Sequence, residues 1–147
     1  TEKDRKLRRE QAEQAVKAVA AGYKDGVAPG GGAAYLACIP AVLAVPAEGD
    51  VAYGLRVVAR ALEEPMRQIA TNAALEASAT VARARAAGDG YGLEVRSERI
   101  VDMRQTGIMD SVRVLQTALE AAASGAIMVL TTGAVIHHRK PDVSVEP

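Results

Sequence analysis

The sequence predicts a mostly α-helical domain with one small β-hairpin. Apolar residues recur at helical spacing over most of the 147 residues, which is about the length of one domain. Hydrophobic residues make up 49% of the chain but aromatic residues only 3%, so small aliphatic side chains must form the core. One stretch in the middle alternates between apolar and polar residues, as a pair of strands does.

The first part of the chain is predicted to form two helices separated by glycines. Residues 3–25 carry apolar groups on one face and charged groups on the others, and Asp25-Gly26 ends the segment as a helix stop does. Ala33 to about Leu43 is a short apolar helix that contains Pro40. Three consecutive glycines, Gly30 to Gly32, lie between these helices.

The middle of the chain continues as helices and then changes period. Residues 51–62 place apolar side chains at helical spacing, and Pro65 begins the next helix in its first turn. Residues 75–87 continue as an Ala-rich helix. Residues 93–101 alternate and turn at 96–99, which predicts the hairpin.

The last part of the chain is predicted to form a long helix followed by a short strand. Asp110 stands before the helical pattern of residues 112–130, and Asp is a strong N-cap. The β-branched residues of 134–136 predict an edge strand. His137 and His138 are adjacent, so their side chains diverge and we expect no metal site.

Charge and composition argue against several classes of function. The chain carries 18 basic and 18 acidic residues, which favours neither nucleic acid nor an anionic membrane as a partner. We expect no membrane span, because no apolar run reaches about 18 residues, and no secretory signal at the charged start. Cys38 fits a reducing cytoplasm, and its apolar helix predicts a buried, inert thiol. The pairs Glu10/Glu13 and Glu63-Glu64 are interpreted as solvated helix faces.

The glycine triplet is the first candidate site. It would begin a helix with unpaired N–H groups, which suit an anion, although a flexible turn is the plainer alternative. A P-loop needs Lys and Ser or Thr after its glycines, and residues 30–39 contain none of them. A helix precedes the triplet, which excludes the dinucleotide-binding fingerprint. No acid–base or nucleophile set accompanies it, which disfavours a third alternative, an unrelated helical enzyme.

Several stretches resemble one family when they are taken in order. They are Val27–Gly32, Glu64–Asn72, Gly88–Gly92, Val101–Met103, Gly107–Asp110 and Thr117–Thr132. Together they resemble the C-terminal part of the group I chaperonins, the GroEL-type ATP-driven folding machines. Order and spacing agree over nearly the whole chain, so the match is specific although each motif alone is weak.

The resemblance implies a domain assignment and a cofactor. Residues 1–24 would be the returning helix of the intermediate domain, and residues 25–147 the C-terminal half of the equatorial, ATP-binding domain. The apical domain and the other equatorial half, with its phosphate-binding loop, would belong to a missing part of a longer parent. ATP or ADP is the implied cofactor, with magnesium held by that missing half.

Individual residues carry over from the family's nucleotide site. Gly31, with Gly30 beside it, matches backbone that approaches the nucleotide. Asp110 matches the carboxylate that holds the ribose hydroxyls, a role compatible with capping a helix. The segment Glu94-Val95-Arg96 stands where the family contacts adenine through small neutral residues, so its residue types depart from the pattern.

Other matched positions concern hydrolysis and assembly. Gln14 replaces the family's water-activating Asp, and Glu13 lies about 100° round the helix, so we expect slow or absent hydrolysis. Arg67 and Glu76 match positions of contact between rings, with ordinary surface charges as the alternative.

The resemblance implies a fragment of a cytoplasmic, ATP-dependent chaperonin that assists protein folding. Its implied partners are the subunits of a homo-oligomeric ring, and a co-chaperonin and unfolded polypeptides that act through the missing domains. The alternative is a diverged chaperonin-like module that assembles without ATP turnover.

Overall fold

The computed structural model describes residues 1–136, and the residues that follow, His137 and His138 among them, lie outside the described range. The chain divides into two units, residues 1–115 and the segment from Gln116 onward. The first unit contains the core and the candidate site. The second contains the rest of the last helix.

Helix α1, Glu2–Asp25, opens the chain, and Thr1 caps it by exchanging hydrogen bonds with Asp4. No residue of α1 is buried, which agrees with its charged composition. The helix ends at Gly26, whose φ of 82° is open to glycine at little cost. Strand β1, Val27–Pro29, follows directly.

Four helices follow the glycines. They are α2 (Ala33–Leu43), α3 (Gly49–Ala61), α4 (Glu64–Asn72) and α5 (Ala77–Ala87). Pro40 lies inside α2, and Pro65 lies in the first turn of α4, where its missing N–H costs nothing. The predicted helices are confirmed here, except that the fourth begins two residues later than expected because Glu76 caps it.

The strands of the described residues form two antiparallel pairs. After α5 the chain continues with β2 (Tyr91–Glu94), β3 (Arg99–Asp102), α6 (Met103–Thr106), β4 (Met109–Ser111) and α7 (Val112–Thr131). Strands β2 and β3 form the predicted hairpin, with Leu93 opposite Ile100. Strands β1 and β4 form a second pair that the sequence did not indicate. The mostly α-helical fold class with a small hairpin is confirmed.

The core lies where α2 to α6 meet, and small aliphatic side chains and methionine fill it. Met66 and Met103 are fully buried, and Ala33 and Ala84 are nearly so. The composition predicted the small aliphatic side chains of this core but not its two fully buried methionines. The cluster consists of Ala33, Leu36, Ile39, Ala59, Leu62, Met66, Val81, Ala84 and Met103.

A buried carboxylate joins three of these helices. Glu63 retains only 11% of its side-chain exposure and lies 2.8 Å from both Arg60 and Arg67 and 3.0 Å from Arg85. Burial raises the pKa of Glu63, but the hydrogen bond from Arg67 and the three positive charges outweigh it and leave the pKa below its usual 4.5. The prediction of a solvated face was therefore wrong for Glu63, while Glu64 is exposed.

Three other predictions are corrected. Asp110 is not an N-cap, because it pairs with Ala28 inside β4 and α7 begins only at Val112. Residues 134–136 form no strand. Cys38 is exposed rather than buried, because it lies on the outer face of α2 while Leu36 and Ile39 face the core.

Helix α7 is long enough and apolar enough to cross a membrane, by length and composition alone, with a mean hydropathy of 1.4. The sequence led us to expect no such segment, because no apolar run reaches about 18 residues. One such helix does not by itself assign α7 a membrane role.

Candidate functional site

The β1–β4 pair brings the glycine triplet and Asp110 together. Ala28 lies opposite Asp110, and Pro29 lies opposite Met109. One residue further on, the Gly30 N–H donates to the carbonyl oxygen of Ile108 at 2.9 Å. Residues about 80 positions apart in sequence therefore lie side by side. Asp110 is two residues along the chain from Ile108, which contacts the glycine turn.

The three glycines are required by close approach and backbone conformation. A Cβ on Gly32 would lie 2.9 Å from the Met66 amide nitrogen, and one on Gly30 would lie 3.0 Å from the Ile108 carbonyl oxygen. Gly31 and Gly32 also have φ values of 63° and 81°. Any side chain at Gly30 or Gly32 would push α4 or the β4 end away.

Helix α2 begins at this turn without a side-chain cap. Gly32 is its N-cap residue and supplies no side-chain oxygen, and the Ala33 amide donates to the Gly30 carbonyl oxygen at 3.1 Å. The N-terminus of an 11-residue helix carries partial positive charge. Backbone that is free of side chains at such an end can approach an anionic ligand.

The β2–β3 hairpin lies against the same turn. A Cβ on Gly31 would lie 3.7 Å from the Leu93 carbonyl oxygen and 3.2 Å from the Met103 methyl group. The structure therefore brings the predicted segment Glu94-Val95-Arg96 to the neighbourhood of Gly31, through Leu93. Val95 and Arg96 are exposed at the hairpin tip.

The Glu94 carboxylate is used within the hairpin. It accepts hydrogen bonds from the amides of Arg96 at 3.0 Å and Ser97 at 2.9 Å. Hydrogen bonding from Ser97, together with the Arg96 amide, holds the pKa of Glu94 below its usual value. Each of its two oxygens thus accepts one hydrogen bond that closes the turn.

Asp110 is half-buried. The Tyr35 hydroxyl donates to the carbonyl oxygen of Leu115 at 2.8 Å, which ties the first turn of α2 to the first turn of α7. Burial raises the pKa of Tyr35, and the negative charge of Asp110 and that of ionised Cys38 raise it further. Sequence reasoning missed Tyr35, since nothing in the local pattern distinguished it from a core residue.

An apolar groove of about 580 Å³ runs between α1 and the β1–β4 pair. Val19, Tyr23, Val27 and Val114 contribute to its walls, with Ser111 alongside. The residue Ser111 is only 8% exposed, and its hydroxyl has no hydrogen-bond partner in the described part of the protein. Asp110 also lines this groove, whereas neither Gly30 nor Gly31 does.

The other predicted residues lie elsewhere. Gln14 is exposed in the middle of α1, about 16 Å along the helix axis from Asp25 by the helical rise. Arg67 and Glu76 are linked through Ser78: the Arg67 guanidinium donates to the Ser78 hydroxyl at 2.9 Å, and the Ser78 amide donates to Glu76 at 3.0 Å. Their contact with another ring stays a prediction.

Comparison with protein families agrees with these features. Residues 5–140 match the TCP-1/cpn60 chaperonin family. The matched range includes α1 from Arg5 onward, the glycine turn, the hairpin and Asp110. The chain therefore belongs to the TCP-1/cpn60 chaperonin family, and its function is of the chaperone type.

Proposed function

We propose that this chain supplies the ribose and adenine side of a nucleotide site in an ATP-dependent, group I chaperonin. In this proposal, residues 1–24 belong to the intermediate domain and residues 25–147 to the C-terminal half of the equatorial domain. The observation that carries the proposal is the β1–β4 pairing. This pairing places the glycine turn, where there is no room for side chains, next to the half-buried carboxylate of Asp110.

The residues fit the sugar and the backbone contacts of a nucleotide. A carboxylate at Asp110 can accept hydrogen bonds from two ribose hydroxyls. The uncapped start of α2 offers amide N–H groups to a phosphate oxygen. Magnesium and the remaining phosphate contacts would come from the other half of the equatorial domain.

The residues fit adenine less well. Glu94 is held by the hairpin amides, and it places a charged carboxylate where the resembled family has a small neutral residue. Val95 and Arg96 are bulkier than the small neutral residues of the resembled family. We therefore expect the site to distinguish adenine from other bases only weakly. It should distinguish ribose from a sugar without the hydroxyls more strongly.

A second function is favoured by Gln14. An amide cannot accept a proton as a carboxylate does, and the side chain of Glu13 is bound to Arg9 at 2.9 Å. These residues favour a diverged chaperonin-like module that assembles without ATP turnover. The first proposal also includes partners and a location. In it, the protein assembles into a cytoplasmic ring with copies of itself and acts on unfolded polypeptides with a co-chaperonin.

Calorimetric titration of the full-length gene product with ADP tests the nucleotide site. Asp110→Ala should weaken ADP binding at least about tenfold, because hydrogen bonds to a charged group contribute roughly 1.5–3 kcal/mol. The control is Asp50→Ala, which removes an exposed carboxylate on α3. Equal affinities in the wild type and Asp110→Ala would refute the ribose role.

Single-turnover ATP hydrolysis separates the two functions. If Gln14 is the cause of slow turnover, Gln14→Asp should accelerate hydrolysis on the order of 10²-fold, the low end of general-base catalysis. The control is Gln11→Asp, three residues earlier on the same exposed helix. Rapid hydrolysis by the wild type, lost in Glu13→Gln, would refute the second function.

A further inference from the structure

We propose that Tyr35 is a positioning residue that holds Asp110 in register with the glycine turn. This inference rests on the proposed nucleotide site. It concerns how that site keeps its shape, and it assigns a role to a side chain that the glycine and carboxylate motifs do not include.

Two connections hold the backbone around Asp110. The first is the β1–β4 ladder, which pairs Ala28 with Asp110 and continues in the Val112 amide, which donates to the Gly26 carbonyl oxygen at 3.1 Å. The second is the Tyr35 hydroxyl, which donates at 2.8 Å to the carbonyl oxygen of Leu115, five residues after Asp110.

The location of Tyr35 allows it to hold Asp110 in place as well as to fill space beside the core. It lies four residues after Gly31, in the first turn of α2, and its ring packs against the core cluster. Its anchor is therefore the start of α2, which directly follows the glycine turn. A carbonyl oxygen has two lone pairs, so Leu115 can accept this bond and still take part in α7.

The role differs from that of a ligand contact. Tyr35 would act through Asp110, by keeping the carboxylate at the right distance from the turn when the ribose hydroxyls arrive. Loss of the hydroxyl should loosen the carboxylate without removing it, because the ladder remains. The expected loss is therefore smaller than that of Asp110→Ala.

Tyr35→Phe tests the inference, because it removes one oxygen and keeps the packed ring. Titrations of the full-length gene product compare ADP with 2′,3′-dideoxy-ADP in the wild type, Tyr35→Phe, Asp110→Ala and the double variant. We expect Tyr35→Phe to weaken ADP binding roughly 2- to 12-fold, the range of one hydrogen bond. It should leave dideoxy-ADP binding unchanged and add nothing in the Asp110→Ala background.

The outcomes separate the inference from the proposed function. If the wild type does not bind ADP, or binds both ligands equally, the ribose site and this inference both fall. If the wild type prefers ADP and Tyr35→Phe keeps the full preference, only the role of Tyr35 falls. An equal loss for both ligands, or in both backgrounds, would show a general structural effect and would also overturn the inference.

Amide hydrogen exchange supplies a check without nucleotide. Loss of the hydroxyl should lower the protection of the amides of residues 112–116, and unchanged protection in Tyr35→Phe would overturn the inference.

Discussion

The strongest stability prediction concerns Glu63, the carboxylate that three arginines share. Glu63→Gln keeps the size and shape of the side chain and removes its charge. Because Glu63 is 9% exposed and Arg67 retains 19% of its side-chain exposure, the variant leaves a mostly buried guanidinium without its anion. We expect a loss of about 2–4 kcal/mol in the free energy of unfolding.

The magnitude follows from the exposure of each partner. The Arg67 guanidinium donates two bonds to Glu63, at 2.8 and 3.2 Å, and a charge-assisted bond of this kind contributes about 1.5–3 kcal/mol. Arg60 and Arg85 keep 56% and 51% of their exposure, so water screens them, and each adds about 0.2–1 kcal/mol. The burial of Glu63 offsets part of this sum.

Urea unfolding, followed by circular dichroism, measures the difference. The matched control is Glu64→Gln on the next residue. Glu64 is 59% exposed and also touches Arg60 and Arg67, at 3.1 and 3.8 Å. It should cost less than about 1 kcal/mol. Equal losses for the two variants, or a loss below about 0.5 kcal/mol for Glu63→Gln, would refute the view that burial sets the strength of this network.

The same network predicts a pH dependence. The folded-state pKa of Glu63 lies below its usual 4.5, so its contribution to stability is fully present above pH 4.5. The contribution is lost as the pH falls through the lower, folded-state pKa. Unfolding curves of the wild type and Glu63→Gln should therefore converge below pH 4.5. A constant difference between them down to strong acid would contradict the assignment.

Three further predictions test the turn, the groove and the surface. Gly32→Ala should lower the free energy of unfolding by about 2–5 kcal/mol, because of its left-handed φ and its contact with Met66. The control Gly49→Ala, which lies in open space, should lower it by about 1 kcal/mol. Equal losses in urea unfolding would contradict the close approach at Gly32. Ser111→Ala removes a hydroxyl without a partner in the described part of the protein and should leave stability unchanged or raise it by about 1 kcal/mol; a clear loss would reveal a partner. The exposed α1 stripe of Val16, Val19 and Tyr23 should cause self-association that Val19→Lys reduces, and a monomeric wild type by light scattering would contradict this.

The helices could be predicted because their signals are local. The apolar spacing of residues 51–62, the proline at the start of α4 and the glycines around residue 90 each specify structure within a few positions. The hairpin is local for the same reason, because its strands are joined by four residues.

The β1–β4 pair could not be predicted because its signal is not local. Strand β1 has three residues, of which one is proline, and its partner lies about 80 positions later. Strands this short carry too few residues to show an alternation. Asp110 was accordingly interpreted as a helix cap, although its part in a site with the glycines was expected from the resemblance. Glu63 was missed for a similar reason, since its partner Arg85 lies 22 residues away on another helix.

The Glu63 network also constrains the predicted contact of Arg67 with another ring. A guanidinium has five N–H donors, and all three nitrogens of Arg67 already donate, two to Glu63 and one to Ser78. Glu76 likewise caps α5 through the amides of Ser78 and Ala79. A contact between rings would have to use the donors and lone pairs that remain. Substitution of Arg67 would thus weaken the subunit as well as any ring contact, because it removes a partner of Glu63. A loss of assembly in such a variant therefore supports the ring contact only if Glu63→Gln, with similar destabilisation, still assembles.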